Sequence, residues 1–370
     1  MTKKLRVAIA GTGFGARYAI GLQAHPEVEI VGVFSRRAER AAAMAEEFAI
    51  PFWTRNYEDL LHLPRLDVVA VVTPNSTHAE YVQAALRVGK HVICDKPLAL
   101  NGEEGARLLQ QAEARGLRHV TFVPYRFSPA SVAMKQAIAD GRLGRIIGLR
   151  AAWGVDLKAE PLRWRFQRKL SGPGVVADLG AHIFDLMMWW AGPVRRALGR
   201  CRTFVRERPA EAGGLMKPVD VPDECYALME FAGAGVGSAN LSWNTKRDQH
   251  LEIEGERGTF VYDSPSLLQW LEGRGPFGPR VTFVASSASG RKSEVALPGT
   301  EQFAAPEQAL ASMFGDIVSY LQGGEKPECV ATFADGAATL GVMDAVVTSD
   351  TTGSWMEVPP PASSDWPGTL

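Results

Sequence analysis

Val7-Ala8-Ile9-Ala10-Gly11-Thr12-Gly13-Phe14-Gly15-Ala16 is the stretch on which the fold turns. A short apolar run entering G-x-G-x-x-A predicts a strand, a tight turn and a helix. Gly11 permits the turn. Gly13 lets the backbone approach a pyrophosphate with no Cβ in the way, and Ala16 is small enough for helix and strand to pack closely. Phe14 and Gly15 complete the mouth of the helix, whose free N–H groups suit phosphate oxygens. Such a pattern is weak alone, because glycine turns also serve purely structural ends. Its place on the first strand of a strand–helix–strand unit makes it a dinucleotide fingerprint.

Working outward, the first third alternates strands and helices. Strands are expected at Leu5–Ala10, Val28–Phe34, Leu66–Val72, His91–Cys94 and His119–Val123. Helices are expected between them, at about Gly15–His25, Arg37–Phe48, Ser76–Val88 and Glu103–Arg115. Single helices between strands imply right-handed crossovers and a doubly wound parallel sheet, the Rossmann arrangement. After Pro124 the pattern changes. A strand at Arg145–Val155, the break Gly172-Pro173-Gly174 and a helix at Asp178–Ala191 precede consecutive strands at 197–206, 224–231, 235–243, 250–254 and 259–262. Strands with no helices between them predict an open, mostly antiparallel sheet. Late helices follow at about Pro306–Leu321 and Phe333–Ser349. The expected division is a dinucleotide-binding domain at 1–125, an α/β substrate domain at 126–358 and a loose Pro-rich tail at 359–370, with the late helices free to pack on the first domain.

Bulk properties narrow the function. A chain of 370 residues is long for one core. Its net charge of −1 offers no basic excess to hold a nucleic acid or an acidic membrane. No apolar stretch reaches the roughly 20 residues of a membrane span, and the short run at Val7–Ala10 is no signal peptide. Cys94, Cys201, Cys225 and Cys329 are far apart in sequence, so neither a metal knuckle nor a disulfide framework is suggested, and no metal is expected. A reduced, cytoplasmic setting fits.

At the end of the second strand an NAD-preferring site usually carries an acid for the ribose 2′-hydroxyl. Ser35-Arg36-Arg37 stands there instead. A hydroxyl and a guanidinium suit a 2′-phosphate, so NADP is favoured over NAD. Arg37 also reads as a solvated helix start.

Three further segments, Thr73-Pro74-Asn75-Ser76-Thr77-His78, Asp95-Lys96-Pro97 and Gly172–Asp185, join the fingerprint in order. Together they resemble the glucose–fructose oxidoreductase / inositol dehydrogenase / MocA family of NAD(P)-dependent oxidoreductases, over nearly the whole chain. The resemblance implies hydride transfer at a secondary hydroxyl or ketone of a sugar, inositol or related polyol, and a homodimer or homotetramer formed through the C-terminal sheet. It implies cofactor contacts from Thr73, Pro74, Asn75, His78, Asp95 and Lys96, and a cis bond before Pro97. Trp164-Arg165 resembles a pair near the nicotinamide and substrate. Two departures stand out: Asp95 replaces the family's Glu, and Pro124 replaces an Asn before Tyr125-Arg126-Phe127.

The residues also make chemical sense alone. Lys96 follows a parallel strand, where open α/β sheets place ligands, and can stabilise developing charge on a substrate oxygen. His182 can act as general base near neutral pH. Asp178, four residues earlier on the expected helix, would share its face and bond a neighbouring hydroxyl or orient His182; it also reads as an N-cap. Tyr125, Arg126, Asp156 and Arg165 are further candidates for the substrate pocket. Two other functions stay open: a redox-assisted glycosidase holding NAD tightly, and a non-catalytic NADP sensor indifferent to loss of Lys96 and His182.

Overall fold

The structure is a computed structural model that describes residues 4–210, 213–233, 235–245, 249–264, 280–285, 293–296 and 305–361; most of the expected tail lies outside them. The elements run β1 (Leu5–Ala10), α1 (Gly15–Gln23), β2 (Val28–Phe34), α2 (Ala38–Glu47), β3 (Trp53–Thr54), α3 (Tyr57–Leu61), β4 (Val68–Val71), α4 (His78–Arg87), β5 (His91–Asp95), α5 (Gly102–Glu113), β6 (His119–Phe122), α6 (Pro129–Ala139) and β7 (Ile146–Gly154). There follow α7 (Arg168–Ser171), α8 (Val175–Asp178), α9 (Gly180–Ala191), β8 (Val194–Arg202), β9 (Glu207–Pro209), β10 (Met216–Pro218), β11 (Glu224–Phe231), β12 (Val236–Ser242), β13 (Gln249–Gly255) and β14 (Gly258–Ser264). Last come β15 (Arg280–Ala285), β16 (Ser293–Ala296), α10 (Pro306–Leu321), α11 (Phe333–Thr352) and β17 (Met356–Glu357). Two compact units form: Met1–Pro124 with Ala305–Ala337, and Tyr125–Ala304 with Ala338–Leu370.

The first unit holds a six-stranded sheet of order β3-β2-β1-β4-β5-β6, parallel throughout. Val7–Ala10 and Val68–Val71 are fully buried, as strands covered on both faces must be. The order reverses between β1 and β4, so the crevice for a ligand opens at their C-terminal ends. Gly11 closes β1 there with φ of 116°; a Cβ on it would sit 2.3 Å from the Val72 carbonyl oxygen. The two-residue β3 was not foreseen, nor were α3, α6, α7, β9, β10, β15, β16 and β17. Two residues are too few for an alternating pattern to show, but α6 had its signal in Ser128-Pro129: the Ser128 hydroxyl caps the Ser131 N–H and Pro129 opens the first turn.

The second unit carries a nine-stranded sheet of order β16-β15-β14-β13-β7-β12-β11-β8-β17. Only β7 and β12 run parallel among these pairs. α9, apolar on nearly every side and buried over Gly180–Trp190, packs on this sheet. The sheet brings together two free cysteines that are 24 residues apart in sequence. Cys201 and Cys225 face each other across β8 and β11, with the thiols hydrogen-bonded at 3.2 Å. Among the described residues no helix is long and apolar enough to cross a membrane.

α1 packs against α10 with little room. A Cβ at Gly21 would lie 2.2 Å from Cδ2 of the fully buried Phe314 and 3.0 Å from the Leu310 carbonyl. Alanine is the better helix former by about 1 kcal/mol, but overpacking a filled core costs about 1–3 kcal/mol. Gly21→Ala is therefore expected to lower the thermal midpoint. A raised midpoint in calorimetry would show that the two helices part easily.

Candidate active site

In the first unit, the fingerprint turn joins β1 to α1. Gly13 is exposed and a Cβ there would meet nothing within 4 Å, which leaves room for a pyrophosphate. Gly15, rather than Ala16, provides the close approach of helix to strand: its Cβ would lie 3.2 Å from Ile9 Cγ2, whereas Ala16 is half-exposed. Phe14 takes the N-cap position of α1, the first turn of which holds no acid. This cradle fits a dinucleotide.

Ser35 follows β2, half-buried, and its hydroxyl accepts the Arg37 N–H at 3.3 Å. Arg36 and Arg37 are exposed. Pairing of β3 with β2 adds a residue that the sequence alone did not suggest. Ser35 donates its N–H to the Thr54 carbonyl, and Arg55 Nε donates to the Arg36 carbonyl at 3.4 Å. Three arginines thus cluster at this strand end, with Glu39 in the next helical turn.

The loop after β4 is fastened internally. Thr77 Oγ1 donates toward Thr73 Oγ1 at 2.8 Å and toward the Pro74 carbonyl at 2.9 Å, and Asn75 is buried. His78 departs from expectation. Its ring is fully buried, with Nδ1 2.7 Å from the Pro97 carbonyl and Nε2 2.8 Å from the Thr73 carbonyl. No side-chain surface remains for a cofactor, so His78 ties the Thr73 loop to the Asp95-Lys96-Pro97 turn instead. A neutral imidazole donates only one of these bonds. Burial holds the His78 pKa below its ordinary value, against the pull of nearby Asp95 and the two carbonyls.

The Lys96–Pro97 peptide is cis, as the resemblance implied. Lys96 is half-buried just past β5. Asp95 receives a 3.4 Å hydrogen bond from the hydroxyl of Tyr18, a fully buried residue of α1 that the sequence alone did not single out. Burial raises the Asp95 pKa, and Lys96 and His78 beside it only partly offset this.

In the second unit, Asp178 and His182 do not share one uninterrupted helix. α8 ends at Asp178, α9 starts at Gly180, and the His182 N–H bonds the Leu179 carbonyl. Gly174 sets this start with φ of 56°, and a Cβ there would fall 2.6 Å from the Pro222 carbonyl. Asp178 is accordingly no N-cap. Its Oδ2 accepts a 3.1 Å bond from the Trp243 indole N–H and lies 3.4 Å from Arg165 Nε. His182, 8% exposed, stands edge-on to the Tyr125 ring at 5.0 Å. Trp164 and Arg165 share a 3₁₀ turn, the guanidinium 5.1 Å from the indole centroid.

Three expected pocket residues are committed elsewhere. Arg126 is buried and makes two 2.7 Å bonds to the Asp185 carboxylate, because a buried guanidinium needs an opposite charge. Tyr125 is buried, with its hydroxyl donating to Gln249 Oε1 at 2.8 Å. Asp156 is exposed and bonds Lys158 within its own turn. Trp243, just past β12, is the partner of Asp178 that the sequence did not single out.

Residues 5–122 match the family profile for oxidoreductases with an NAD-binding Rossmann fold, and residues 131–261 match the GFO/IDH/MocA C-terminal domain. The chain belongs to the Gfo/Idh/MocA oxidoreductase family. It is an NAD(P)-dependent oxidoreductase. Levoglucosan dehydrogenase of Pseudarthrobacter phenanthrenivorans is 30% identical over 87% of each chain. 1,5-Anhydro-D-fructose reductase of Ensifer adhaerens is 30% identical over 89% of this chain and 91% of its own. A solved structure of levoglucosan dehydrogenase with NADH and L-sorbose superposes with a TM-score of 0.85 at 28% identity, covering 97% of this chain and all of that one.

Two predictions test the site's framework. Asp185→Asn leaves the buried Arg126 charge without its partner and should cost about 3–5 kcal/mol in denaturant unfolding. Replacing both residues by apolar ones should recover most of that loss, and a single variant with unchanged stability would refute the pairing. For Asp95 the sign runs the other way. Its folded pKa lies above its unfolded value of about 3.9, so its stabilising contribution is complete below that value and is lost as pH rises through the folded pKa. Asp95→Asn should therefore raise the thermal midpoint at about pH 8 and leave it nearly unchanged at about pH 4. An equal shift at both values would contradict the burial account.

Proposed function

We propose that this oxidoreductase is an NADP(H)-dependent dehydrogenase or reductase acting on a secondary hydroxyl or ketone of a sugar, inositol or related polyol. The observation that carries the reading is the set of groups at the crevice-side strand ends and the α8–α9 junction. In the first unit an ammonium at Lys96 follows β5; in the second, the Asp178 carboxylate that ends α8 is held by Trp243 and Arg165, and the His182 imidazole lies in the first turn of α9. Curated relatives named for an anhydrosugar and an anhydroketose support the substrate class.

The fingerprint turn from Gly11 to Gly15 and the start of α1 would hold the pyrophosphate, and Thr73, Pro74 and Asn75 would line the nicotinamide side. Ser35 and Arg36, joined by Arg55, would take the 2′-phosphate, a dianion that two guanidiniums favour and a carboxylate would repel. The cofactor, when bound, supplies the two-electron acceptor or donor for the substrate carbon. Lys96 donates a hydrogen bond to the reacting oxygen and stabilises its developing negative charge. His182 removes the hydroxyl proton in oxidation and returns it in reduction. Asp178 and Arg165 bind neighbouring hydroxyls, and the Trp164 indole suits the apolar side of a sugar ring.

We also assign the outer face of the second sheet to self-association. Tyr226 and Leu228 on β11 and Val236 on β12 are 55%, 47% and 58% exposed on neighbouring strands, an apolar patch of the kind that marks an interface.

The test is a titration of NADPH and NADH, followed by turnover on levoglucosan, 1,5-anhydro-D-fructose and myo-inositol. NADPH is expected to bind more tightly, with Arg55→Ala and Arg36→Ala each narrowing the preference. Lys96→Ala and His182→Ala should lower kcat by about 10²–10⁴ with cofactor affinity intact. Tighter NADH binding would overturn the NADP assignment, and full turnover in both alanine variants would overturn the catalytic one.

A further inference from the structure

We propose that Arg208 is a positioning residue for the Asp178 carboxylate, acting through Phe166 and Trp243. The inference rests on the reading of Asp178 as a substrate-binding group.

Arg208 lies on β9 and is 1% exposed. Its Nη1 gathers three carbonyls of one turn: Leu157 at 2.5 Å, Glu160 at 2.7 Å and Lys158 at 3.4 Å. Nε and Nη2 are buried with no hydrogen-bond partner among the described residues. The nearby Asp223, also buried, is occupied by the Phe204 and Val205 N–H groups. An arginine buried against neutral carbonyls is a poor way to stabilise a core, since a well-packed apolar side chain commonly does as well or better. What arginine adds is a rigid plane with donors at fixed angles.

That plane lies over Phe166, the guanidinium carbon 3.8 Å from the ring centroid. Phe166 meets Trp243 edge-on, centroids 5.3 Å apart at 86°. Trp243 in turn donates its indole N–H to Asp178 Oδ2 at 3.1 Å. The backbone closes the same circuit: Leu157, with its carbonyl on Arg208, donates its N–H to the Trp243 carbonyl at 2.8 Å, and the Trp243 N–H bonds the Asp223 carbonyl at 2.8 Å. Arg165, the second group on Asp178 Oδ2, precedes Phe166 in the same 3₁₀ turn. These two contacts of that oxygen are thus joined to Phe166, one through its ring and one through the backbone, and the Phe166 ring lies against the Arg208 guanidinium. Phe166 and Trp243 are almost wholly buried, so the chain has little slack.

Arg208→Lys separates the two roles of the guanidinium. An ammonium can still donate to three carbonyls but offers no plane to Phe166. The experiment labels the full chain with 5-fluorotryptophan, assigns the Trp243 resonance by its loss in Trp243→Phe, and follows it in Arg208→Lys. The resonance is expected to move. The KM for the turned-over polyol should rise by about tenfold or more, since small displacements of substrate-orienting groups have effects of that size. The dissociation constant for NADPH should stay unchanged. In a Trp243→Phe background, Arg208→Lys should add no further rise in KM, because the link it acts through is already gone. An unmoved resonance, or the same KM factor in both backgrounds, overturns the proposal. Phe166→Leu removes the intervening ring and applies the same criteria if Arg208→Lys does not fold. Asp178→Asn separates the two readings: full turnover in that variant would sink the substrate role of Asp178, whereas the fluorine shift would still decide whether Arg208 governs Trp243.

Discussion

β1 and α1 approach their neighbours so closely that Gly11 and Gly21 have no room for a side chain and Gly15 has little, and the first unit is arranged around that constraint. At Gly11 the Val72 carbonyl occupies the space a Cβ would need, which draws the ends of β1 and β4 together into one crevice. At Gly21 the neighbour is Phe314, so a helix from late in the chain seals the outer side of α1. Tyr18, between those glycines, packs edge-on to both Phe122 and Phe314 and still reaches Asp95 with its hydroxyl. One tightly held helix thereby positions both the phosphate cradle and the acid that precedes Lys96.

Charge burial follows two different rules in this molecule. Arg126 and Asp185 neutralise each other inside the second unit, and each would be costly without the other. His78 and Arg208 are buried against peptide carbonyls, which hold them in place without cancelling a charge. The first arrangement fastens the start of the second unit to α9. The second fixes loops: His78 holds the turn that carries Lys96, and Arg208 holds the turn whose Leu157 bonds Trp243.

The Rossmann sheet was legible because its strands are buried on both faces and read as unbroken apolar runs from Val7 to Ala10 and from Val68 to Val71. The antiparallel sheet was legible from consecutive strands without helices. What escaped was whatever lacks a period: β3, two residues long, and with it the placement of Arg55 beside Ser35. The site divided along similar lines. Position after a strand or glycine turn pointed to Lys96, Asp178 and His182. Nothing in Tyr125-Arg126 distinguishes a pocket arginine from one paired with a buried aspartate 59 residues away. Trp243 and Arg208 were equally silent, since their importance lies in which neighbours they touch.

The seating of α10 against α1 also bears on how the chain comes to exist. His25, just past α1, bonds the carbonyl of Ala311, 286 residues on, and the Arg118 side chain reaches the carbonyl of Gly324, 206 residues on. β7 has a comparable wait, since Arg150 meets Glu252 only 102 residues later. A ribosome emits the nucleotide-binding sheet first, yet the helix that covers Tyr18 and Gly21 emerges near the end. For most of its synthesis the nascent polypeptide carries an uncovered apolar groove, the kind of surface for which chaperones compete.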